Sequence, residues 1–414
     1  MTSEYIALIS DELFWDKNKK MIFAHDWCIL DKDLKNIEYE VAPYYNRIDG
    51  FLDKHINYID KVTDYVISKI GILLNEKYNI DQSQLYWQIV FKYFIHRLVH
   101  LTYDRYLYLR LLENIYPFAE TKMLNNLSYN ILENDDIIRL SRNNDYFNLQ
   151  IFSQVANLTK LNVSYVDFKW FVQKNKNSKK KQNINNQLYT IYNKINNNKF
   201  FKKNINIFSS QKFGILNDFV LTIQKNLNIL HMDYITSKIS TKNEKNIDYQ
   251  TRNKIANLDG FDDFSSVILK SLYYNLPINI LENYYEVALQ AYKIIKFYNP
   301  KVIITGPGYD IRTSIIKAEG KSRGSTLFGC QHGGNYRENI YNLSEKVERS
   351  VNDFFVPWGK EVNDGEYFLP SIKINIGKIK REKNSNVILL CGNLAHEYVP
   401  GGVYTINCLE DSKK

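Results

Sequence analysis

Hydrophobic and polar positions between residues 299 and 334 follow the order strand, turn, helix, strand. Residues 301–305 form a β-branched apolar run that predicts a short buried strand, and a Gly-Pro-Gly turn ends it. Helically spaced apolar residues follow, and residues 325–330 predict a second strand that leads into the loop QHGG at residues 331–334. This pattern predicts a βαβ unit whose two parallel strands are joined by a right-handed crossover.

The rest of the chain alternates helical and strand-like segments. Helical spacing dominates residues 49–112, where a second helix begins at Gln84. Residues 20–30 and 353–358 predict further strands, whereas residues 163–172 fit a strand or an amphipathic helix. Three other segments have mainly helical patterns: 135–159, 258–274 and 281–298. Residues 213–239 fit either an apolar helix or a pair of strands.

The order of these segments predicts an α/β fold with a Rossmann-like parallel sheet and a large helical insertion. We expect an N-terminal domain over residues 1–377, in which residues 49–160 are helical and residues 174–203 form a Lys/Asn-rich insert. The apolar run NVILLC follows a charged linker and predicts the first strand of a second Rossmann-like domain at residues 386–414. Because about one supersecondary unit fits there, we expect this second domain to be begun but truncated.

Charge favours anionic partners, because the net charge is +9 and the pI is near 9.0. Much of the positive charge falls in the Lys/Asn-rich insert, for which an arm that binds nucleic acid or a membrane surface is one interpretation. A solvated loop is the favoured interpretation, since aromatic residues are sparse in the insert and no nucleic-acid fold signature accompanies it. Nucleic acid is therefore not an expected partner.

Cysteine spacing and hydropathy indicate a cytoplasmic protein. The four cysteines lie far apart without a CxxC pair, which predicts neither a disulfide framework nor a zinc site. The start of the chain is polar and acidic, unlike a signal peptide, and no apolar run reaches the roughly 18 residues of a membrane span. Peripheral contact with the inner face of the cytoplasmic membrane is a further expectation.

His96, His100 and Asp104 recur at helical spacing and share one face of the second predicted helix. This spacing suits metal ligands in outline, but no further ligand is identifiable in the chain, so helix packing is the favoured interpretation. We expect no metal and no cofactor.

Candidate chemistry falls at the ends of the predicted strands. Both glycine-containing loops of the βαβ unit emerge at the carboxyl ends of parallel strands, where open α/β sheets bind ligands. His25 and Asp26 follow the predicted strand at residues 20–30 and either line a cleft or cap the strand end. We therefore expect the functional site at this edge of the sheet.

Four stretches carry a resemblance to a known family: KMIFAHDWC, YWQIVFKYFIHRLVHLTYDRY, LPINILENYYEV and the central NPKVIITGPGYD…GSTLFGCQHGGNYR…DFFVPWG. In this order they resemble a family of transferases encoded in bacterial O-antigen and surface-polysaccharide gene clusters, and more faintly the retaining bacterial β-Kdo glycosyltransferases. The resemblance implies a modified GT-B architecture and a nucleotide-activated donor, CMP-Kdo or a related ulosonic acid. It also implies a glycan or lipid-linked glycan acceptor and retention of stereochemistry through an aspartate nucleophile.

A nucleotide-sugar donor requires a site that stabilises negative charge on the leaving phosphate. His332 is the leading candidate for this contact and belongs to the catalytic candidates; a structural hydrogen bond at the strand end is its alternative role. Arg312 and Arg337 are candidates for pairing with the anionic groups of the donor, and surface salt bridges are their alternative role. The candidate donor-binding residues lie in or beside the two loops: Gly306, Gly308, Tyr309, Arg312, Gln331, Gly333, Gly334 and Arg337.

Three aspartates are candidates for the chemical step: Asp26, Asp233 and Asp310. A retaining mechanism needs one of them as nucleophile, whereas an inverting mechanism needs only a general base, for which Asp26 or His25 would serve. Asp233 has an apolar approach and a neighbouring His231, so we expect a buried carboxylate with a perturbed pKa. Asp310 fits the N-cap of the following helix equally well. The alternative to an enzyme is a non-catalytic remnant that binds a glycan or a nucleotide.

Overall fold

The computed structural model contains two separate parallel β-sheets with helices packed around and between them. Both sheets lie inside the range predicted as one N-terminal domain. The structure describes residues 3–29, 32–43, 51–171, 191–194, 205–211, 215–240, 246–306, 310–333, 336 and 342–358.

The first sheet has the strand order β3-β2-β1-β4-β5, and all of its strands are parallel. This is the order of a Rossmann sheet, in which the chain changes direction between β1 and β4. Its strands are β1 (Glu4–Ala7), β2 (Lys20–Phe23), β3 (Tyr39–Val41), β4 (Glu120–Leu124) and β5 (Asn162–Val166).

The second sheet is also parallel and has the order β10-β9-β8-β6-β7. The chain changes direction between β6 and β8, which is the second common arrangement of doubly wound folds. Its strands are β6 (Ile205–Ser209), β7 (Leu227–His231), β8 (Val302–Thr305), β9 (Thr326–Cys330) and β10 (Phe354–Val356).

Helices form the crossover connections of both sheets. Short 3₁₀ turns also follow β1, β2, β4 and α4. In chain order the α-helices are α1 (Phe51–Tyr78), α2 (Gln84–Ile115), α3 (Ile137–Asn143), α4 (Asp145–Val155), α5 (Ile215–Lys225), α6 (Met232–Thr236), α7 (Tyr249–Ala256), α8 (Asp263–Asn275), α9 (Ile278–Leu281), α10 (Tyr284–Tyr298), α11 (Ile311–Ser322) and α12 (Leu343–Ser350).

Helix α2 connects the two sheets. Its N-cap is Ser83, whose hydroxyl accepts a hydrogen bond from Tyr86 N, and its 32 residues extend over about 48 Å. Near one end, Tyr108 donates a hydrogen bond to the Ala24 carbonyl just beyond β2. Near the other end, Tyr86 donates to Glu319 of α11 over 2.8 Å. Since α11 packs against the second sheet, α2 joins both sheets through buried contacts.

The packing of α11 on β8 is close. A Cβ added at Gly320 would lie 2.4 Å from Ile303 Cδ1, so a side chain at this position would displace the buried isoleucine. The helix is therefore held near the strand that carries one of the two glycine loops, and its N-terminus lies directly after that loop.

Most predicted elements are confirmed. The βαβ unit is present as β8, α11 and β9, and the segment at 163–172, open between helix and strand, begins as strand β5. The predicted strand at 20–30 ends at Phe23, because a 3₁₀ turn starts at Asp26. The α/β fold with parallel strands and a helical insertion is confirmed, and the described residues form two parallel sheets where one was expected.

Two predicted segments fall largely outside the described residues: all of 386–414, and the Lys/Asn-rich insert except for a few helical residues at 191–194. The proposed domain division and the truncation of a second domain therefore stay predictions. Among the described helices, none combines the length and the apolar character that crossing a bilayer requires.

A buried ion pair links the helices between the sheets. Arg252 of α7 is fully buried and bonds both carboxylate oxygens of Glu282 at 2.7 and 2.8 Å. Its remaining nitrogen donates to the carbonyls of Tyr273 and Leu276 at the end of α8, each at 2.8 Å. One guanidinium thus satisfies one carboxylate and two carbonyl groups.

We predict that Arg252→Met lowers the free energy of unfolding by about 3–5 kcal/mol, because Glu282 and two carbonyls lose their donor in the interior. Urea unfolding followed by circular dichroism measures the change. The exposed pair of Lys17 and Glu12 provides the control, and Lys17→Met should change stability by no more than about 1 kcal/mol. Equal effects of the two substitutions would contradict this role of the buried pair.

Candidate functional site

The two glycine loops of the βαβ unit lie side by side. Strands β8 and β9 are parallel neighbours, with Thr305 opposite Gly329, so the loops after them leave the same edge of the sheet. A Cβ added at Gly306 would lie 3.7 Å from the Cβ of His332. The expectation that these loops meet at one edge of a parallel sheet is therefore met by the geometry.

The loop after β6 closes the same edge from the other side. Gly306 N donates to Ser210 Oγ at 2.7 Å, and Ser210 N donates to the Ile304 carbonyl at 2.9 Å. A Cβ at Gly306 would approach Gln211 Nε2 to 3.2 Å, so the absence of a side chain permits this close contact. Gly306 thus lies where the chain changes direction between β6 and β8, which is where doubly wound sheets bind ligands.

A chain of hydrogen bonds runs from His332 into the interior. His332 Nδ1 and Tyr336 Oη are 2.8 Å apart, and Tyr336 Oη lies 3.0 Å from Glu348 Oε2. A phenol has one proton, so if Tyr336 donates to Glu348 it accepts from Nδ1–H of His332. If Glu348 is protonated instead, both donations can reverse. The three residues can therefore pass a proton between a half-buried histidine and a buried carboxyl.

Glu348 of α12 is poised between its two protonation states. Its side chain is 4% exposed, and this burial raises its pKa to about 7, against the opposing hydrogen bond from Tyr336. Its Oε1 has no hydrogen-bond partner among the described residues. Lys317 of α11 is buried nearby, and burial lowers the pKa of this ammonium to about 8 while Glu348 opposes the shift.

A cleft of about 370 Å³ opens between α2, α3, α9 and the start of α11. Ile311 and Ser314 line it from α11, which follows the glycine loop after β8, and residues of α3 and of the turn before it line it from the segment after β4. Its polar lining includes three arginines and two aspartates: Arg97, Arg139, Arg142, Asp135 and Asp136.

Arginines are concentrated in this cleft at close range. The largely buried Arg97 donates to Tyr93 Oη at 2.6 Å and to Ser344 Oγ of α12 at 2.9 Å. Burial and then the charge of Arg142 lower the pKa of Arg97 to about 10, with Glu348 in opposition. Arg97 is still charged at neutral pH, so Arg97 and Arg142 are two cations that repel each other in the cleft. A bound anion would relieve their repulsion.

Asp135 connects the cleft with the glycine loops. Burial raises its pKa to about 6, and Asp310 adds to this rise, which indicates that the two carboxyls interact. Asn279 Nδ2 donates weakly to Asp135 at 3.4 Å. Asp135 therefore lines the cleft as a carboxyl that exchanges protons near neutrality.

Asp310 caps helix α11, in agreement with one of its two predicted roles. Its Oδ1 accepts a hydrogen bond from Arg312 N at 3.0 Å. The Arg312 guanidinium also holds the carboxylate, with Nη2 at 2.7 Å from Oδ2. Both side chains are about two-fifths exposed, so the pair lies at the surface of the site. A nucleophilic role for Asp310 would require this pair to open.

The other two candidate aspartates are not held in this network. Asp26 lies after β2 in the first sheet, where His25 stacks on Trp27 with ring centroids 3.9 Å apart. Burial lowers the pKa of His25 to about 4, so it is neutral at physiological pH. A catalytic role for Asp26 stays a prediction.

The expected burial of Asp233 is wrong. Asp233 is exposed in the short helix α6, and the buried His231 lies against Asp218, with 3.2 Å between Nε2 and Oδ2. The apolar residues of this segment face the core, whereas the side chain of Asp233, just after the end of β7, is exposed to solvent. It still lies beyond the carboxyl end of β7, and its catalytic role is untested.

Gln331 and Gly333 shape the loop that carries His332. Gln331 Nε2 donates to the Gly333 carbonyl at 2.8 Å, and its Oε1 accepts from Trp358 N at 2.7 Å. The buried amide thus fixes the loop against the chain after β10. Four of the predicted donor-binding residues lie outside the described residues: Gly308, Tyr309, Gly334 and Arg337.

Several residues of the site are not singled out by the sequence pattern: Arg97, Arg142, Asp135, Lys317, Tyr336 and Glu348. The only available signal is a charged residue at an apolar helix position, as with Lys317 between Ile316 and Ala318. No group of three or more potential metal ligands occurs among the residues that the structure describes. The buried His96 instead bonds Asp60 at 2.9 Å.

We predict that Glu348→Gln removes a pH dependence of stability. The folded pKa of Glu348, about 7, exceeds the ordinary value of 4.5, so its contribution is complete below pH 4.5 and is lost as the pH rises through 7. Relative to the variant, the wild type should lose about 2–3 kcal/mol of unfolding free energy between pH 5 and pH 8. Urea unfolding at several pH values measures this.

The control for this experiment is Glu345→Gln, one turn earlier on α12, where the carboxylate pairs with Arg349. It distinguishes burial of Glu348 from the general loss of a helical carboxylate. A constant difference between wild type and Glu348→Gln across this pH range would contradict the raised pKa.

The comparisons with known proteins give one match. The model of the LIC12162 family transferases matches residues 5–409, which is nearly the whole chain. No curated protein and no solved structure matches the sequence. Because the family model covers well over half of the chain, the protein belongs to the LIC12162 family of transferases.

Proposed function

We propose that this transferase is a glycosyltransferase that moves a sugar from a nucleotide-activated donor to a glycan acceptor. The observation that carries the proposal is the arginine-lined cleft between α2, α3 and α11. Transfer from such a donor breaks the bond between the anomeric carbon and a phosphate oxygen, so negative charge grows on the leaving phosphate. Fixed cations in a partly buried cleft stabilise this charge.

Arg97 and Arg142 are the proposed contacts for the phosphate. Arg97 is held in place by Tyr93 and Ser344, which gives it a fixed orientation before any donor binds. Preorganised donors of this kind stabilise a transition state without a further cost of reorganisation. Arg139 pairs with Asp136 at 3.0 Å and stands beside them as a third cation.

The proposed donor is CMP-Kdo or a related CMP-ulosonic acid. Such a donor carries two negative groups, a phosphodiester and a sugar carboxylate. Arginine suits both groups, because its planar guanidinium binds phosphate and carboxylate with paired hydrogen bonds. The arginine cluster supports a donor with two anions, and the family resemblance in the sequence supports the choice of CMP.

Proton transfer is assigned to His332. An acceptor hydroxyl must lose a proton as it bonds to the anomeric carbon, and a histidine near the glycine loops can take it. The hydrogen bond between His332 Nδ1 and Tyr336 orients the imidazole ring. The protonation state of Glu348 decides whether Tyr336 donates or accepts in that bond. Asp135, with a pKa of about 6, is a second acid or base of the cleft.

The stereochemical course depends on whether a carboxylate can reach the anomeric carbon. A retaining reaction would use Asp310, Asp26 or Asp233 as the nucleophile, and Asp310 lies nearest to the described loops. An inverting reaction needs only His332 or Asp135 as base. We propose that the enzyme acts in surface-polysaccharide synthesis, at the inner face of the cytoplasmic membrane, on a free or lipid-linked glycan.

Donor binding tests this proposal without knowledge of the acceptor. Isothermal titration with CMP and CMP-Kdo should give saturable binding, and Arg142→Gln should raise the Kd by about 10–100-fold, since a hydrogen bond between charged groups is lost. Arg110→Gln is the matched control, because Arg110 lies on α2, is about two-fifths exposed, pairs with Glu113 and does not line the cleft. The control should keep the wild-type Kd.

Two outcomes would contradict the proposal. One is that neither compound binds the folded wild-type protein. The other is that Arg142→Gln and Arg110→Gln bind with the same affinity as the wild type, which would place the anion outside the cleft.

A further inference from the structure

A second groove, separate from the arginine cleft, lies between α4, β5 and α8. It encloses about 570 Å³, which is in the range of small-ligand sites. One wall begins at Asn125, directly beyond the carboxyl end of β4, and the opposite wall is the face of α8 with Lys270 and Tyr274. None of the predicted site residues lines this groove.

Three tyrosines converge in the groove: Tyr129, Tyr165 and Tyr274. The rings of Tyr129 and Tyr274 meet edge to face, with centroids 5.2 Å apart. Tyr165 is 52% exposed at the end of β5. Burial raises the pKa of Tyr129, and the phenols of Tyr165 and Tyr274 both add to the rise, so the three hydroxyl groups lie near one another.

Amide side chains complete the lining. Asn126 and Asn157 are exposed at the rim, while Gln154 lies deeper and accepts a hydrogen bond from Asn275 at 2.7 Å. No carboxylate lines the groove, and Lys270 is the single charged residue among the lining residues that the structure describes. The surface therefore combines flat aromatic faces with neutral donors and acceptors.

This combination fits a particular class of ligand. A sugar ring has an apolar face of C–H groups that packs on tyrosine, and hydroxyl groups around its rim that bond to amides and phenols. A nucleotide would need more cations than one lysine, and a lipid chain would leave the amides without partners. We propose that this groove binds an uncharged or weakly anionic oligosaccharide.

The inference rests on the proposed function only in assigning this glycan as the acceptor; glycan binding itself needs no donor. A groove that binds the acceptor away from the arginine cleft would recognise several sugar units of the growing chain. Lys270 would accommodate one anionic substituent.

Saturation-transfer NMR tests the groove directly. The probes are neutral oligosaccharides of at least four units, built from glucose, galactose, mannose, rhamnose or N-acetylglucosamine, and each is tested without nucleotide. At least one should receive saturation from the wild-type protein. Tyr165→Ala and Asn157→Ala, both at exposed positions, should raise the Kd of that probe by about tenfold or more, which corresponds to about 1.4 kcal/mol.

Tyr39→Ala is the matched control, because Tyr39 is an exposed tyrosine at the edge strand of the same sheet. It should bind the glycan as the wild type does. The proposal is overturned if no probe receives saturation, or if Tyr39→Ala and Tyr165→Ala weaken binding equally.

Arg142→Gln separates this proposal from the donor site. If the variant loses CMP binding but keeps glycan binding, the two sites are distinct as proposed. If it loses the glycan while Tyr165→Ala keeps it, the sugar binds in the arginine cleft and the groove has no such role. Failure of CMP to bind the wild type would leave the glycan result standing alone.

Discussion

The packing of α2 against both halves of the molecule is the constraint on which the site depends. Tyr108 ties one end to the chain beyond β2, and Tyr86 ties the other to α11 through Glu319. Arg97 lies between these two anchors, at the cleft. Because protein interiors are close-packed, a helix buried at both ends transmits position well. The position of α11 relative to the chain beyond β2 is therefore set by one long helix.

Buried charge near His332 is maintained against a considerable desolvation penalty. Lys317 and Arg97 each interact with the buried Glu348. Buried charged groups contribute little net stability, because apolar residues of similar volume often stabilise the fold as well or better. Groups with strongly shifted pKa values instead cluster at functional sites. The arrangement thus favours a role in binding or proton transfer over a role in folding.

The sequence pattern predicts the central βαβ unit well because its strands are short, apolar and bounded by glycine. It also places Gly306 and His332 together, since parallel neighbours in a sheet end at the same edge. It predicts less well where chemistry comes from helices. Arg97 and Glu348 are 251 positions apart, and no spacing rule connects a residue of α2 with one of α12.

Strands β1, β4 and β6 are likewise weak in the pattern, since each has only four or five residues and β6 follows a Lys/Asn-rich stretch. The division of the strands into two sheets is therefore difficult to foresee, and with it the cleft that helices from both halves of the chain line. Asp233 illustrates the opposite error. Its neighbours Met232 and Ile235 are buried, yet the helical geometry of α6 turns the aspartate between them toward solvent. Apolar neighbours in sequence do not imply a buried side chain.

The central claim is that the arginine cleft and the two glycine loops form one site for the anionic part of a donor. A crystal structure of the protein with bound CMP tests it most directly. We predict that the phosphate lies within hydrogen-bond distance of Arg97 or Arg142 and faces the edge formed by Gly306 and His332. A phosphate bound away from this cleft, for example at the β1–β4 edge of the first sheet, would contradict the account.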